Sequence, residues 1–242
     1  YKVNADDFSE IYAHIDGPND IKFTDVSNAI AAFMEFEWRS DTAPFDMFLK
    51  EQKTLSITAK KGLDLFYGVG GCASCHSGAL LTDHEFHAMG QPQVGPGKAA
   101  RFQSHARDEG RFRVTGLDGD KYAFRTPSLR NVKLTGPWGH AGAYSDLTAF
   151  VAAHADPRAG LTNYNRLGIV LPQFDVADWR IMDDPAEVAA ISKAVSIDPV
   201  SLSSDEVSAL VAFLGSLTDT SAQVGRLGVP KSVPSGLAVP NP

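Results

Sequence analysis

Cys72 and Cys75 stand three positions apart, His76 follows at once, and no other cysteine occurs in the 242 residues. Two thiols at this spacing fit one helical turn, which matches the separation of the two vinyl groups of a haem. The Cys72-Ala73-Ser74-Cys75-His76 run is therefore the attachment signature of a c-type haem. Each sulfur adds to one vinyl, and the imidazole of His76 reaches the iron from the same side. Ala73 and Ser74 are small enough to let the backbone lie close to the porphyrin edge.

Two other chemistries use the same pair of thiols. A redox-active dithiol usually sits at a strand-to-helix junction, whereas here a helical pattern and a glycine run come first. A structural zinc site needs four ligands, and His84 with His87 would complete a Cys2His2 set. A disulfide framework is excluded, because one pair of neighbouring cysteines cannot staple a chain of this length. Among the other histidines, His154 lies on an apolar helical face and reads as a satisfied core residue. His14 and His105 sit in polar surroundings and read as exposed. His140 stands in the Gly136-Pro137-Trp138-Gly139-His140-Ala141-Gly142 loop, where the backbone can approach a flat cofactor.

The elements that must position these groups are mostly helices. Val26, Ala29, Ile30 and Phe33 recur at helical spacing within 25–39, and Ala59, Leu63, Phe66 and Tyr67 do so within 58–67. Gly68, Gly70 and Gly71 end that second helix just before the cysteines. The stretch 80–119 is rich in Gly, Pro, Gln and His and reads mostly as loop. Helices resume after Ser145, a favourable N-cap, with Leu147, Phe150, Val151 and His154 on one face. Asp184, Pro185 and Glu187 predict a further helix start with a capping box. Ser203 and Glu206 form a second capping box before the stripe Val207, Leu210, Val211, Leu214 and Leu217. The pattern predicts a mostly α, cytochrome-c-like haem domain with long irregular loops. It spans 1–221, with a helical lead-in over 1–55 and an irregular Pro/Gly-rich tail over 222–242. A haem accounts for such long loops, since it acts as an apolar core around which irregular chain packs.

Composition narrows the functional classes. Apolar residues make up 43% and charged residues 21%, ordinary for a folded chain. The net charge of -7 argues against nucleic acid, which selects basic patches. No apolar run approaches the roughly 20 residues that span a bilayer. No export signal is visible and the chain begins at Tyr1, which reads as a processed, trimmed or partial chain.

The residues taken together resemble the C-terminal, electron-transfer half of the bacterial di-haem cytochrome c peroxidase and MauG superfamily. The resemblance runs to about Asp219. It includes Ala29-Ile30-Ala31-Ala32-Phe33, Pro44-Phe45-Asp46, Lys61-Gly62-Leu63-Asp64-Leu65-Phe66, and Ser77-Gly78, Thr82-Asp83 and Phe86-His87 after the haem motif. It continues through Asp108-Glu109-Gly110-Arg111, Phe124-Arg125-Thr126-Pro127-Ser128-Leu129-Arg130-Asn131 and Gly136–Gly142. It implies one haem c in this half. Electrons would come from a small cytochrome or cupredoxin and pass to a second haem, on another domain or chain, that reacts with hydrogen peroxide. In MauG-like members the haem pair instead oxidises a residue of a partner protein. The resemblance further implies a calcium ion between the halves, an optional homodimer and a periplasmic location, because haem c is attached outside the bacterial cytoplasm.

Site residues follow from the same resemblance. Arg111, Arg125 and Arg130 become candidate partners for haem propionates, since a planar guanidinium suits a carboxylate. Phe86, Phe124, Pro127 and Leu129 become pocket walls. Trp138 and Tyr144 lie near the expected distal loop. The family's peroxidases are read as placing a methionine ligand just before the loop histidine, where this chain has Gly139. His140 is then the first substitute and Met89 the second, with a five-coordinate iron or Tyr144 as further alternatives. A His/His pair would give a lower potential than His/Met. The half that would carry the second haem is absent from the sequence. Three functions therefore compete: an electron-input domain of such an oxidoreductase, a stand-alone one-haem electron carrier, and a haem sensor with an exchangeable distal site.

Overall fold

The computed structural model describes residues 5–95, 104–170, 178–233 and 236–239. In chain order the helices are α1 Ala5–Ile11, α2 Phe23–Glu37, α3 Pro44–Leu49, α4 Ile57–Tyr67, α5 Phe112–Thr115, α6 Leu147–Ala155, α7 Pro157–Thr162, α8 Pro185–Ala194, α9 Ser204–Gly215 and α10 Thr220–Val224. Two short strands, β1 Phe86–Ala88 and β2 Ala123–Arg125, pair antiparallel in the register Phe86 with Arg125, His87 with Phe124 and Ala88 with Ala123. The fold is mostly α. The expected long loop over 80–119 is thus broken by β1 and α5, and residues 96–103 of it lie outside the described residues.

The chain divides into two compact units. One comprises residues up to Thr42 together with those from Asp219 onward, and the other runs from Ala43 to Thr218. The tail expected from residue 222 begins inside α10, and its residues 234–235 and 240–242 lie outside the described ones.

The first unit is held by buried acids rather than by a large core. Glu37, at the end of α2, accepts backbone N–H groups of Leu227 and Gly228 at 2.7 and 2.8 Å. Asp219 caps α10 and accepts the Thr42 N–H at 2.7 Å. Burial opposes ionisation of Asp219. The hydrogen bonds from Ser221 and Thr42 outweigh that penalty and hold its carboxyl near pKa 2. A carboxyl whose pKa is depressed on folding stabilises the fold above its unfolded value, and that contribution is lost as pH falls toward its folded one. Asp219→Asn is therefore expected to cost this unit about 2 kcal/mol at pH 7 and to remove its acid-dependent loss of stability between pH ~4 and ~2. Urea unfolding at pH 7 and pH 3, followed by amide exchange in α10, checks both.

The second unit is built on the crossing of α4 and α9. Ser56 caps α4 by accepting the Ala59 N–H at 3.1 Å. Ser203 and Glu206 cap α9 reciprocally, as their spacing predicts. The apolar stripe of α9 places Leu210, Phe213 and Leu214 in a core with Phe45, Leu65, Phe66, Leu81, Val132, Leu147 and Leu217. Fully burying each such side chain stabilises by roughly 1.5–3 kcal/mol. The helices meet at Gly62, where an added Cβ would lie 1.9 Å from the Ala209 carbonyl oxygen. Two sequence readings shift here. Asp146, not Ser145, caps α6, accepting the Ala149 N–H at 2.8 Å, while the Ser145 hydroxyl donates to the Gly168 carbonyl. Asp184 does cap α8, but Glu187 completes no capping box. Its carboxylate is drawn instead to Arg107 and to the Tyr122 hydroxyl, because a charged partner outbids one backbone amide.

Candidate haem site

The helix α4 runs into a turn at Gly68 to Gly71, and Cys72–Ser74 then form one 3-10 turn. The left-handed φ of +66° at Gly71 lets the chain reverse there. The following loop is pinned by backbone bonds from Leu81 N–H to Gly78, Thr82 N–H to Ser77 and Asp83 N–H to Cys75. This aims the Leu81 carbonyl at His76, whose Nδ1 donates to it at 3.1 Å. The bond fixes the tautomer and leaves Nε2 as the free ring nitrogen of His76.

Within the same unit lies a cavity of about 760 Å³, in the size range of cofactor sites. Cys72, Cys75 and His76 form one wall. Apolar side chains from α6, α9 and the Phe124–Leu129 segment form much of the rest, among them Phe150, Val151, Leu210 and Leu214. From α6, His154 also lines this cavity. The ring centres of His76 and His154 are 6.3 Å apart. His154 Nδ1 is buried with no hydrogen-bond partner among the described residues. Burial lowers the pKa of His154 to about 4, with His76 adding to the shift, and burial also lowers that of His76. Both rings are therefore neutral at pH 7, the form that ligates a metal. Cys72, buried and near Cys75, has its thiol pKa raised.

His154 is the residue that sequence reasoning missed. It reads as a satisfied core histidine, yet its Nδ1 is unpartnered and its ring lines the cavity. The available signal was an imidazole on an otherwise apolar helix face, where a polar group needs a reason.

The predicted residues fall into two groups. His140, Met89, Phe124, Arg125, Pro127, Leu129 and Trp138 line the cavity. His140 is oriented by a buried carboxylate: its Nε2 is 2.9 Å from Asp108 Oδ2, and its ring stacks on Phe124 at 3.5 Å. Gln93 holds Asp108 through both backbone groups at 2.8 Å. Trp138 donates its indole N–H to the Val132 carbonyl at 2.8 Å. The Arg125 guanidinium lies 3.3 Å from His84 Nδ1 and donates to the Thr126 carbonyl.

Phe86, Arg111, Arg130 and Tyr144 are not in the cavity wall. The Arg111 guanidinium covers the Phe86 ring at 4.5 Å. Arg130 is committed to Asp46, with both carboxylate oxygens at 2.7 Å, and to the Ala79 carbonyl. Tyr144 packs edge-on against Phe150 and Tyr164. Its hydroxyl is pushed up to about pKa 12 by burial.

The zinc arrangement is not assembled among the described residues. The cluster that could hold an ion is Cys75, Asp83 and His87, with ligand atoms within 4.8 Å of one another. Its sulfur and imidazole suit a soft metal rather than calcium. Cys72 and His84 lie outside it. The residues present fit a covalently held haem better: two thiols lining an apolar cavity, an imidazole oriented by a carbonyl, and a second buried imidazole 6.3 Å from it.

Fold and site together define a mostly α, cytochrome-c-like haem-binding chain. No family model matches it. By sequence it is a homologue of the bacterial cytochrome c peroxidases and MauG proteins. Cytochrome c551 peroxidase of Pseudomonas aeruginosa is 34% identical over 141 residues, covering 58% of this chain and 39% of that protein. The methylamine utilization protein MauG of Methylorubrum extorquens is 36% identical over 125 residues, covering 51% and 32%. A crystal structure of a MauG-like protein associated with microbial copper homeostasis superposes with a TM-score of 0.57 at 24% identity, over 88% of this chain and 57% of that one. The match to either curated relative spans well under half of that relative's length. Among the described residues no helix is long and apolar enough to cross a membrane.

Proposed function

We propose that this chain is a one-haem electron-transfer domain of a peroxidase-type oxidoreductase of the cytochrome c peroxidase and MauG kind. Cys72 and Cys75 would hold the porphyrin through thioether links, and the imidazoles of His76 and His154 would hold its iron. The observation that carries the reading is the 6.3 Å between the two imidazole centres. Two imidazoles sharing one metal ion, with bonds of about 2.0–2.1 Å and ring radii of about 1.2 Å, would have centres at most about 6.4–6.6 Å apart, so the observed spacing suits a single metal ion. His140 and Met89 are assigned no ligand role. His140 Nε2 is already engaged by Asp108, which makes that residue a wall and hydrogen-bonding group.

When bound, the haem supplies reversible one-electron chemistry. The chain's own residues set its conditions. Leu81 makes His76 a stronger donor through the Nδ1 bond. The cavity wall is largely apolar, and two imidazoles on the iron would leave no standing open position for peroxide. Arg125 is the remaining cavity-lining candidate for a propionate. Peroxide reduction then belongs to a second haem on another domain or chain. A small cytochrome or cupredoxin is the donor, a calcium ion and a second copy of the chain are further partners to test, and the periplasm is the location.

Two measurements test this. Intact mass of the haem-loaded chain should show one porphyrin, and its ferric electron paramagnetic resonance should be that of a low-spin iron between two imidazoles. Alone it should not turn over hydrogen peroxide with a reduced donor. Rapid turnover by the isolated chain, or a chain without porphyrin, overturns the assignment.

A further inference from the structure

The two imidazoles that face each other are held very differently. His76 has its second nitrogen bonded to the Leu81 carbonyl, on a loop closed by three backbone hydrogen bonds. His154 has its second nitrogen buried with no protein acceptor among the described residues. A metal-bound histidine without an outer partner loses a contribution that commonly amounts to 10–100-fold in metal affinity. A buried N–H left unpaired adds its own penalty to the ligated arrangement.

We infer that His154 is an exchangeable ligand, and that its side of the cavity is a binding site for a small neutral diatomic molecule. This rests on the reading of His76 and His154 as the axial pair. In the exchange the iron–nitrogen bond to His154 breaks and one bond to the diatomic forms, with no change in electron count and no proton released. The backbone around His154 does not need to move. Ala155 is tied by its carbonyl to the Val200 N–H at 2.8 Å, and Asp156 caps α7 through the Ala159 N–H at 3.1 Å. Departure is therefore a rotation of the imidazole alone, past the Phe150 ring whose centre is 5.2 Å away. Val151 and Ala155 flank this part of the wall. Such a surface suits an uncharged ligand.

The probe is carbon monoxide on the dithionite-reduced, haem-loaded full chain, after ferric resonance has established the two-imidazole pair. The expected result is complete conversion to a carbon monoxide adduct at gas saturation, with the same spectrum as the adduct of His154→Ala. Half-saturation of His154→Ala should require less gas than the unsubstituted chain. Where His154→Ala fails to load haem, flash photolysis of the unsubstituted adduct decides, through a rapid rebinding phase of the internal imidazole before carbon monoxide returns. A ferrous spectrum unmoved by saturating gas, an adduct unlike that of His154→Ala, or photolysis without internal rebinding overturns the inference and leaves the axial assignment standing. A ferric signal not due to two imidazoles removes the axial assignment itself.

Discussion

The substitution His154→Met raises the midpoint potential of the haem-loaded chain, by on the order of 0.1–0.2 V out of the roughly 0.8 V that axial ligands span. A thioether favours reduced iron, whereas a neutral imidazole donates more strongly and favours the oxidised state. The same change should replace the two-imidazole ferric signal by that of a His/Met pair. Methionine is unbranched and adaptable enough to reach from the same helical position. Two controls make the outcome specific. His140→Ala and Met89→Leu should each move the potential far less if His154 is the second ligand, since its ring centre lies 6.3 Å from that of His76 and His140 is engaged by Asp108. Potentiometric titration of the four proteins decides. A potential unmoved in His154→Met but strongly moved in His140→Ala or Met89→Leu would return the ligand role to His140 or Met89.

Gly62→Ala is expected to be the most damaging single methyl in the haem-binding unit. The added carbon would stand 1.9 Å from the Ala209 carbonyl oxygen, 2.5 Å from its carbon and 2.9 Å from Phe213 Cβ. Neither backbone atom can swing aside as a flexible side-chain end would. α4 and α9 must separate, and the contacts of Phe66 and Phe213, whose ring centres are 5.0 Å apart, loosen with them. Overpacking usually costs 1–3 kcal/mol, and a backbone clash belongs at or above the top of that range, about 3 kcal/mol. For a unit of this size the melting temperature should fall by roughly 6–12 °C. Because α4 leads directly into the Cys72 turn, haem loading should fall as well. Thermal unfolding and the ratio of haem to protein absorbance check the two effects, and a melting temperature within 2 °C of the unsubstituted chain counts against the argument.

The haem motif was legible because its chemistry is local. Cys72, Cys75 and His76 need only adjacent residues and one turn of backbone to present two sulfurs and an imidazole together. The helices were legible for the same reason. Capping boxes and apolar periodicity act within one turn, so Ser203 with Glu206 and the stripe of α9 could be read directly, while the cap of α6 slipped by one residue because Ser145 and Asp146 are both good caps. Groups whose partners come from distant chain were not legible. A histidine on an apolar helix face looks the same whether its ring is satisfied in a core or opposes another imidazole across a cavity. An arginine looks the same whether it awaits a propionate or, like Arg130, is already spent on Asp46. The tertiary structure decided these surroundings, since only the folding of α6 against the cavity brings the His154 ring within 6.3 Å of the His76 ring, and only the return of distant segments supplies Asp108 to His140 and Asp219 to Thr42. Side-chain type specifies what a group can do, while burial and the identity of its nearest partner select which of those things it does.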